Sequence, residues 1–500
     1  MRRPRLPATA ALAAALVAAS AAPALASNGP IPTSVGTKGP VSIPVDGDGQ
    51  TMFRMPSSIG FALDHRFDFD LFWVQTASEV RNSLNDFRGE GGTLGASGGV
   101  VFAPGRPDWD TDDDEVLDAY TPARKITLGL GVYPDMAGGG GDKSKYRLTT
   151  FPETIGLQTA IQFITGAVNV AFTPTPWLSL GVGLHAIYST VDTTSLVGGS
   201  STPLGGSPTI NGVPFPGNPT YADFLNLFSS DQASDPSTLF KSEMSAIQFS
   251  AIFSVSLRPM ENLGLGFSYR DRSWAPSPYE SRATVDSSRT FQLALQGLDP
   301  AIQSLFLSTL PERGANGFIG RYKVELEGLH VPRQVRTNVV FWPVEWLLLS
   351  AEVGWIEWGR AFGEPRVRLR EGSNTDVNFV VGSTSINTKL KQRWRNQWVF
   401  AFQGAVAVTE KVTIRAGVNY GKNPINVNYQ GATATSAFSD VTASLGGGVR
   451  LTDRIELNAL FEISPPTSAR AGPRTDQLTA RNSRYGAEQY FFHVGIGIAF

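Results

Sequence analysis

Charged side chains in this chain recur at every second position of stretches whose alternate positions are oily. Arg66, Asp68 and Asp70 interleave with Phe67, Phe69, Leu71 and Trp73. His185, Arg270, Arg336, Glu352, Arg415, Arg450, Glu456, Glu462 and His493 stand in the same relation to their neighbours. A guanidinium offers a planar fork that grips both oxygens of a carboxylate, so Arg270, Arg336 and Arg415 are candidate ligand-binding groups for the polar end of a small molecule. Both signs of charge occupy these positions, and pairing among themselves is the competing reading. Catalysis finds little to work with. The chain has 4 histidines, no convincing Ser/His/Asp spacing, and no metal-ligand cluster, phosphate loop or nucleotide fingerprint. The expectation is a protein that is not an enzyme and needs neither cofactor nor metal.

A second chemistry is apolar. After Thr220, residues Tyr221, Phe224, Leu225 and Phe228 are spaced as one face of a short helix. Asp299 and Pro300 make a cap and first position for another helix, whose stripe is Ile302, Leu305, Phe306 and Leu310. Such stripes either pack on each other as a lid or form a greasy patch that captures a hydrophobic solute.

The elements that must position these groups are strands. Tyr490 to Phe500 reads YFFHVGIGIAF: Tyr490, Phe492, Val494, Ile496, Ile498 and Phe500 share one face, with small or polar residues on the other except Phe491. A recurring unit of strand, short turn and strand follows the same rule, as in VNVAFTPTPWLSLGVGL, TNVVFWPVEWLLLSAEV and GGGVRLTDRIELNALFE. Longer polar, Gly-rich stretches separate these hairpins, chiefly 190–243 and 272–318. Short turns on one side and long loops on the other characterise a transmembrane β-barrel. Counting gives about fourteen strands, an even number as closure of a bacterial barrel requires. The segment 320–330 alternates too, but Pro332 divides it from the next strand, and it reads as an extension beyond the membrane. The outward positions Leu178, Leu180, Val182 and Leu184 carry no charge, because Lys or Arg at mid-membrane on a lipid face costs about 2–4 kcal/mol.

Composition agrees. Of 500 residues 17% are charged and 52 are Gly, and no apolar run beyond the N-terminus is long enough for a membrane helix. Residues 1–26 read as a signal peptide, with Arg2, Arg3 and Arg5 ahead of an Ala-rich run and Ala24-Leu25-Ala26 at the cleavage site. Without those three arginines, 39 basic residues face 44 acidic ones, which gives no footing for nucleic acid. There are 0 cysteines, so no disulfide supports the exported fold. Residues 27–62 form an N-terminal segment and 63–500 the barrel.

Together, RKITLGLGVYP, FTPTPWLSLGVGL, VPRQVRTNVVFWPVEWLLLSAEVGWIEWGR, TEKVTIRAGVNYGKNPIN and the closing strand resemble the FadL/TodX-type family of outer-membrane transporters for long-chain fatty acids and hydrophobic hydrocarbons. The resemblance runs from about residue 120 to 500. It implies an all-β, fourteen-stranded barrel in the outer membrane of a Gram-negative bacterium, plugged by a small N-terminal hatch. Ligand would enter between two outer loops, where Phe224, Leu225, Phe228, Ile302, Leu305 and Phe306 fall, and leave by hatch rearrangement and a lateral opening in the wall. The family's hatch carries Asn-Pro-Ala; here the nearest match is Met55-Pro56-Ser57. A terminal Phe500 on such a strand also implies outer-membrane lipid around the barrel and handling by the barrel assembly machinery. The leading expectation is passive uptake of a hydrophobic small molecule, a long-chain fatty acid first. A general diffusion porin and a non-transporting surface barrel, an adhesin or structural protein, are the alternatives.

Overall fold

Among the described residues, fourteen antiparallel strands close into one ring. The computed structural model describes residues 36–103, 125–148, 151–198, 237–288, 300–389, 392–426, 439–471 and 483–500, with isolated exceptions, and the loop pieces 209–210 and 213–214. The wall runs β1 (Arg66–Arg81), β2 (Asp86–Phe102), β3 (Lys125–Leu148), β4 (Phe151–Thr175) and β5 (Leu178–Gly198). A separate two-stranded piece, β6 (Thr209–Ile210) with β7 (Val213–Pro214), lies in the loop that follows. The ring continues with β8 (Ser237–Met260) and β9 (Leu263–Arg270), then β12 (Gln334–Val344) and β13 (Leu347–Ile356). It completes with β16 (Gln397–Ala407), β17 (Val412–Tyr420), β18 (Val441–Thr452), β19 (Ile455–Arg470) and β20 (Arg484–Ala499). Closure comes from β1 against β20, in a register that sets Arg66 opposite Ala499 and Val74 opposite Phe491.

The alternation read in the sequence decides which way each side chain points. Outward Leu128, Leu130, Val168, Val182, Leu184, Phe253 and Val494 are exposed, as a lipid-facing surface requires. Their neighbours Asn169, His185, Ser254 and His493 are buried. Four hairpin turns follow an irregular register, between Phe172/Thr175, Leu257/Met260, Phe341/Val344 and Arg450/Thr452. Such bulges bend a strand pair and end its pairing. Arg450 stands exposed at this short-turn rim.

Several strands run further toward the long loops than their lipid-facing patterns: β5 reaches Gly198 and β8 starts at Ser237. Ladder hydrogen bonds continue past the membrane, where no oily face is needed. The segment 320–330 lies outside the ring as expected, but it has company. β11 (Ile319–Glu327) pairs with β10 (Tyr279–Asp286) and β14 (Arg366–Arg370), and β15 (Ile386–Lys389) pairs with β14. β10 also pairs with the upper part of β8, so these four strands extend the wall's sheet beyond the membrane. Helices α1 (Pro300–Thr309), α2 (Trp358–Ala361) and α3 (Thr375–Val381) sit on this side. Among the described residues no helix is long and apolar enough to cross a membrane.

Candidate functional site

Residues 36–62 lie against the inward face of strands all round the ring, and small wall residues leave the room. A Cβ at Gly99 or Gly131 would strike Met52, at Gly181 the backbone of Pro56 and Ser57, at Gly417 the ring of Pro40, and at Gly495 the side chain of Thr37. The segment itself turns through Gly39 (φ 102) and Gly47 (φ 70), a left-handed conformation that glycine adopts without a Cβ penalty.

Wall side chains satisfy the buried backbone of this segment, which has little regular structure to do so itself. Gln403 Nε2 donates to the Lys38 carbonyl at 2.7 Å, Asn338 Nδ2 to the Ser42 carbonyl at 2.7 Å, and the Ser42 amide donates to Glu352 Oε2 at 3.0 Å. The Gly49 amide donates to Asp68 Oδ2 at 2.8 Å. Met55, Pro56 and Ser57 are buried here. Pro56 opens a 3-10 turn, Pro56–Phe61, where its missing N–H is harmless. Met55 packs beside Gly266 and Asn338. Ser57 is held by three wall serines: its amide donates to Ser254 Oγ, its hydroxyl bonds Ser256 Oγ and its carbonyl accepts from Ser179 Oγ, each at 2.7 Å.

The three sequence-selected arginines point inward, and each meets a carboxylate. Arg270 takes Asp135 in a bidentate grip, with Nη1 to Oδ1 at 2.6 Å, and its Nε reaches Ser250 Oγ at 3.3 Å. Thr165 also donates to Asp135, at 3.0 Å. Arg336 pairs with Glu352, the carboxylate that accepts from Ser42. Arg415 donates to Asn458 Oδ1 at 2.7 Å and to Glu456 Oε1 at 3.2 Å, and Lys38 Nζ lies 3.5 Å from the same carboxylate. His493 bridges Asp70 at 3.1 Å and Glu462 at 3.8 Å. These pairs brace wall and segment together, the competing reading of the inward charges.

Beyond this polar layer, toward the long loops, the inward face turns oily. Along β1 the buried inward residues run Asp68, Asp70, Phe72 and Val74; along β4, toward the long loops, Asn169, Thr165, Phe163 and Ile161. Phe491 on β20, Ile187 on β5, Ile356 on β13 and Val399 on β16 belong to the same apolar cluster. Trp358, Phe362 and Trp394 join it: the Phe362 and Trp394 rings stack at 4.5 Å, and Trp358 Nε1 donates to Gln397 Oε1 at 3.0 Å, which satisfies its one polar atom. Sequence reasoning missed these residues as a site. Their signal was the change from charged to apolar at inward positions of a single strand, overshadowed by the stronger outward pattern.

Among the described residues the ring has one weak seam. β2 and β3 pair only over Gly98–Phe102 and Val132–Leu128, whereas β2 is bonded to β1 along its whole length. Pro134 follows just past the last pair on β3, and a proline cannot donate to a ladder. Above that level, among the described residues, β2 and β3 form no ladder pair with each other, next to Tyr133 and Asp135.

Phe224, Leu225 and Phe228 lie outside the described residues. Ile302, Leu305 and Phe306 lie on α1, whose course is described, but their side chains lie outside the description. Among the described residues no cluster of His, Asp or Glu is placed to hold a metal ion.

Residues 122–469 match the model of a family described as outer membrane protein transport protein (OMPP1/FadL/TodX). In fold the chain is similar to a Pseudomonas aeruginosa FadL homologue (TM-score 0.65, 14% identity, 96% of this chain and 100% of that one). It is also similar to the P. putida toluene transporter TodX (0.63, 13%, 94% and 97%) and the Ralstonia pickettii toluene transporter TbuX (0.61, 12%, 94% and 98%). No curated protein sequence matches the chain.

Proposed function

Because the chain belongs to the OMPP1/FadL/TodX family of outer-membrane transport proteins, we propose that it admits hydrophobic small molecules passively, through an apolar chamber above a hatch formed by residues 36–62. The observation that carries this reading is the zoning of the inward face. Polar and small residues hold the N-terminal segment at the short-turn end, and Phe72, Phe163, Ile187 and Phe491 form an oily layer beyond it. A diffusion porin needs a wide polar lumen, and this layer speaks against one.

In this reading, the loop residues Phe224, Leu225 and Phe228, with Ile302, Leu305 and Phe306, gather the solute from the medium. It then enters the oily layer by parting side chains that already lack contact with water, so no polar group loses hydration. The β2–β3 seam gives it a lateral way into the membrane while the hatch stays seated. Outer-membrane lipid surrounds the outward face, and the barrel assembly machinery recognises the strand that ends at Phe500.

An uncharged hydrocarbon is the better substrate on these grounds, with a long-chain fatty acid second. A fatty acid brings a carboxylate into a low-dielectric site, and such a charge is costly unless paired. Arg270, Arg336 and Arg415 are already engaged by Asp135, Glu352 and Glu456. Two similar solved structures are toluene transporters by name.

Uptake of labelled toluene and labelled oleate by cells lacking their own transporter tests the proposal. A gain with toluene supports it, and a gain confined to oleate reverses the order of substrates. No gain with either, together with large unselective conductance in planar bilayers, would replace it with a porin. Replacing Phe224 and Phe306 by Gln should weaken capture while the barrel stays folded; unchanged capture would return these stripes to a lid.

A further inference from the structure

The four-strand extension has two unlike faces. Its inner face, with Tyr279, Ala283, Tyr322, Val324, Val367 and Leu369, is buried in the apolar cluster. Its outer face is charged, and register places it in the same surface as the lipid-facing side of the wall. On β8 the exposed apolar residues Phe253, Phe249 and Ile247 give way to Ser245, Glu243 and Lys241. Ser245 is opposite Glu280 of β10, Glu280 opposite Glu325 of β11, Glu325 opposite Arg368 of β14, and Arg368 opposite Asn387 of β15. Ser245 is two positions from Ile247, about 7 Å along a strand. Exposed Trp274, its ring 5.1 Å from that of Phe249, marks the same level as an interfacial aromatic. The charged face therefore begins where hydrocarbon ends and headgroups begin.

The face mixes both signs on β10 and β11, where Glu280 faces Glu325, and is basic on β14 and β15. Arg368 pairs with Glu327 at 3.0 Å, Arg370 with Glu325 at 3.1 Å and Lys323 with Glu371 at 2.7 Å. Arg366 and Lys389 face each other directly across β14 and β15; Glu327 stands opposite Arg366 on the other side but pairs with Arg368, and among the described residues neither Arg366 nor Lys389 has a carboxylate within 4.0 Å. Like charges in directly opposed positions destabilise a sheet. Here they border an open surface hollow of about 580 Å³, lined also by Val367, Arg368, Arg370, Ser385 and Asn387. An anion shared between the two would turn their repulsion into a grip.

We propose that this outer face is a docking surface for anionic, phosphomonoester-bearing lipid headgroups of the leaflet at the long-loop end, with Arg366 and Lys389 sharing one phosphate. Charge complementarity and continuity with the lipid-facing wall favour a lipid over any soluble anion. Docking there fixes the extension against the membrane and holds the inner apolar face in place over the chamber.

The test is retention of lipid A, a diphosphorylated glycolipid, by the detergent-purified full chain, read by native mass spectrometry. Wild type should retain it in preference to a zwitterionic phosphatidylcholine. Arg366→Gln with Lys389→Gln should lower retention about 30-fold, the effect of two cations beside an anionic surface. Heat-modifiable gel mobility would verify that the variant barrel is closed. Equal retention by the double variant overturns the proposal. Displacement by millimolar inorganic phosphate would reduce the face to a free-anion site and overturn the lipid assignment. A variant that loses an oligomer but keeps its lipid would make the face an interface between copies, also against the proposal.

Discussion

Replacing Ser179, Ser254 and Ser256 together by Ala should release the N-terminal segment while leaving the barrel intact. The three hydroxyls make three hydrogen bonds to Ser57, each at 2.7 Å and all buried. A buried hydrogen bond contributes about 1 kcal/mol net, so the docked state loses roughly 3 kcal/mol before any cost of leaving the Ser57 amide and carbonyl unpaired. At about 1.4 kcal/mol per factor of ten, that shifts the docked-to-undocked ratio by a hundredfold or more. Wall ladders do not use these side chains, so strand pairing should persist. Limited proteolysis of the folded barrel should then cut within 36–62, and planar-bilayer recordings should show new, larger openings. Gly181→Val is an independent route to the same end, because its Cβ would fall on the backbone of Pro56 and Ser57. If the triple variant resists protease and conducts like wild type, the hydroxyls do not hold the segment and the docking argument fails.

Arg270→Met should destabilise the folded barrel by about 3–5 kcal/mol by stranding the Asp135 charge, and adding Asp135→Leu should recover most of it. Urea unfolding from lipid vesicles measures both; a ligand-binding role for Arg270 without a bracing one predicts unchanged stability instead. Phe163→Ala with Phe491→Ala should weaken toluene binding about tenfold or more by opening the oily layer, since each ring buries roughly 1.5–3 kcal/mol of contact; titration calorimetry with unaltered affinity would remove these residues from the path. Burial, with Arg272 nearby, pushes the His330 imidazole below its usual 6.5. Its folded state favours the neutral ring, so the stability it lends is present above about pH 6.5 and lost as pH falls through the folded value. Hydrogen exchange of 328–333, corrected for intrinsic rates, should accelerate on acidification in wild type and not in His330→Gln.

Much of this architecture was legible in the chain because lipid enforces a strict two-residue period. Leu128, Leu184 and Val494 had to point outward, and that parity alone put Arg270, Arg336, Glu352 and Glu456 inside. Strand number, hairpin turns and the β1–β20 closure all follow from the same constraint, since an open edge in hydrocarbon leaves backbone groups unbonded. Partners across the lumen have no such signature. Arg270 and Asp135 are 135 positions apart in the chain, and nothing local to either distinguishes a wall brace from a ligand hook. Ser57 and its three wall serines likewise meet only when the ring closes, and of the glycines that admit the segment only those of the last strand, Gly495 and Gly497, read in sequence as room for it. The extension shows the same limit: β10, β14 and β15 lie in stretches that read as polar loops, because outside the membrane a strand needs only a partner and no lipid-facing pattern. Sequence by itself determined the barrel and the direction of each side chain, because those obey the solvent. Only the tertiary structure decided which inward groups neutralise one another and where the oily layer lies, because those depend on distances across a closed ring.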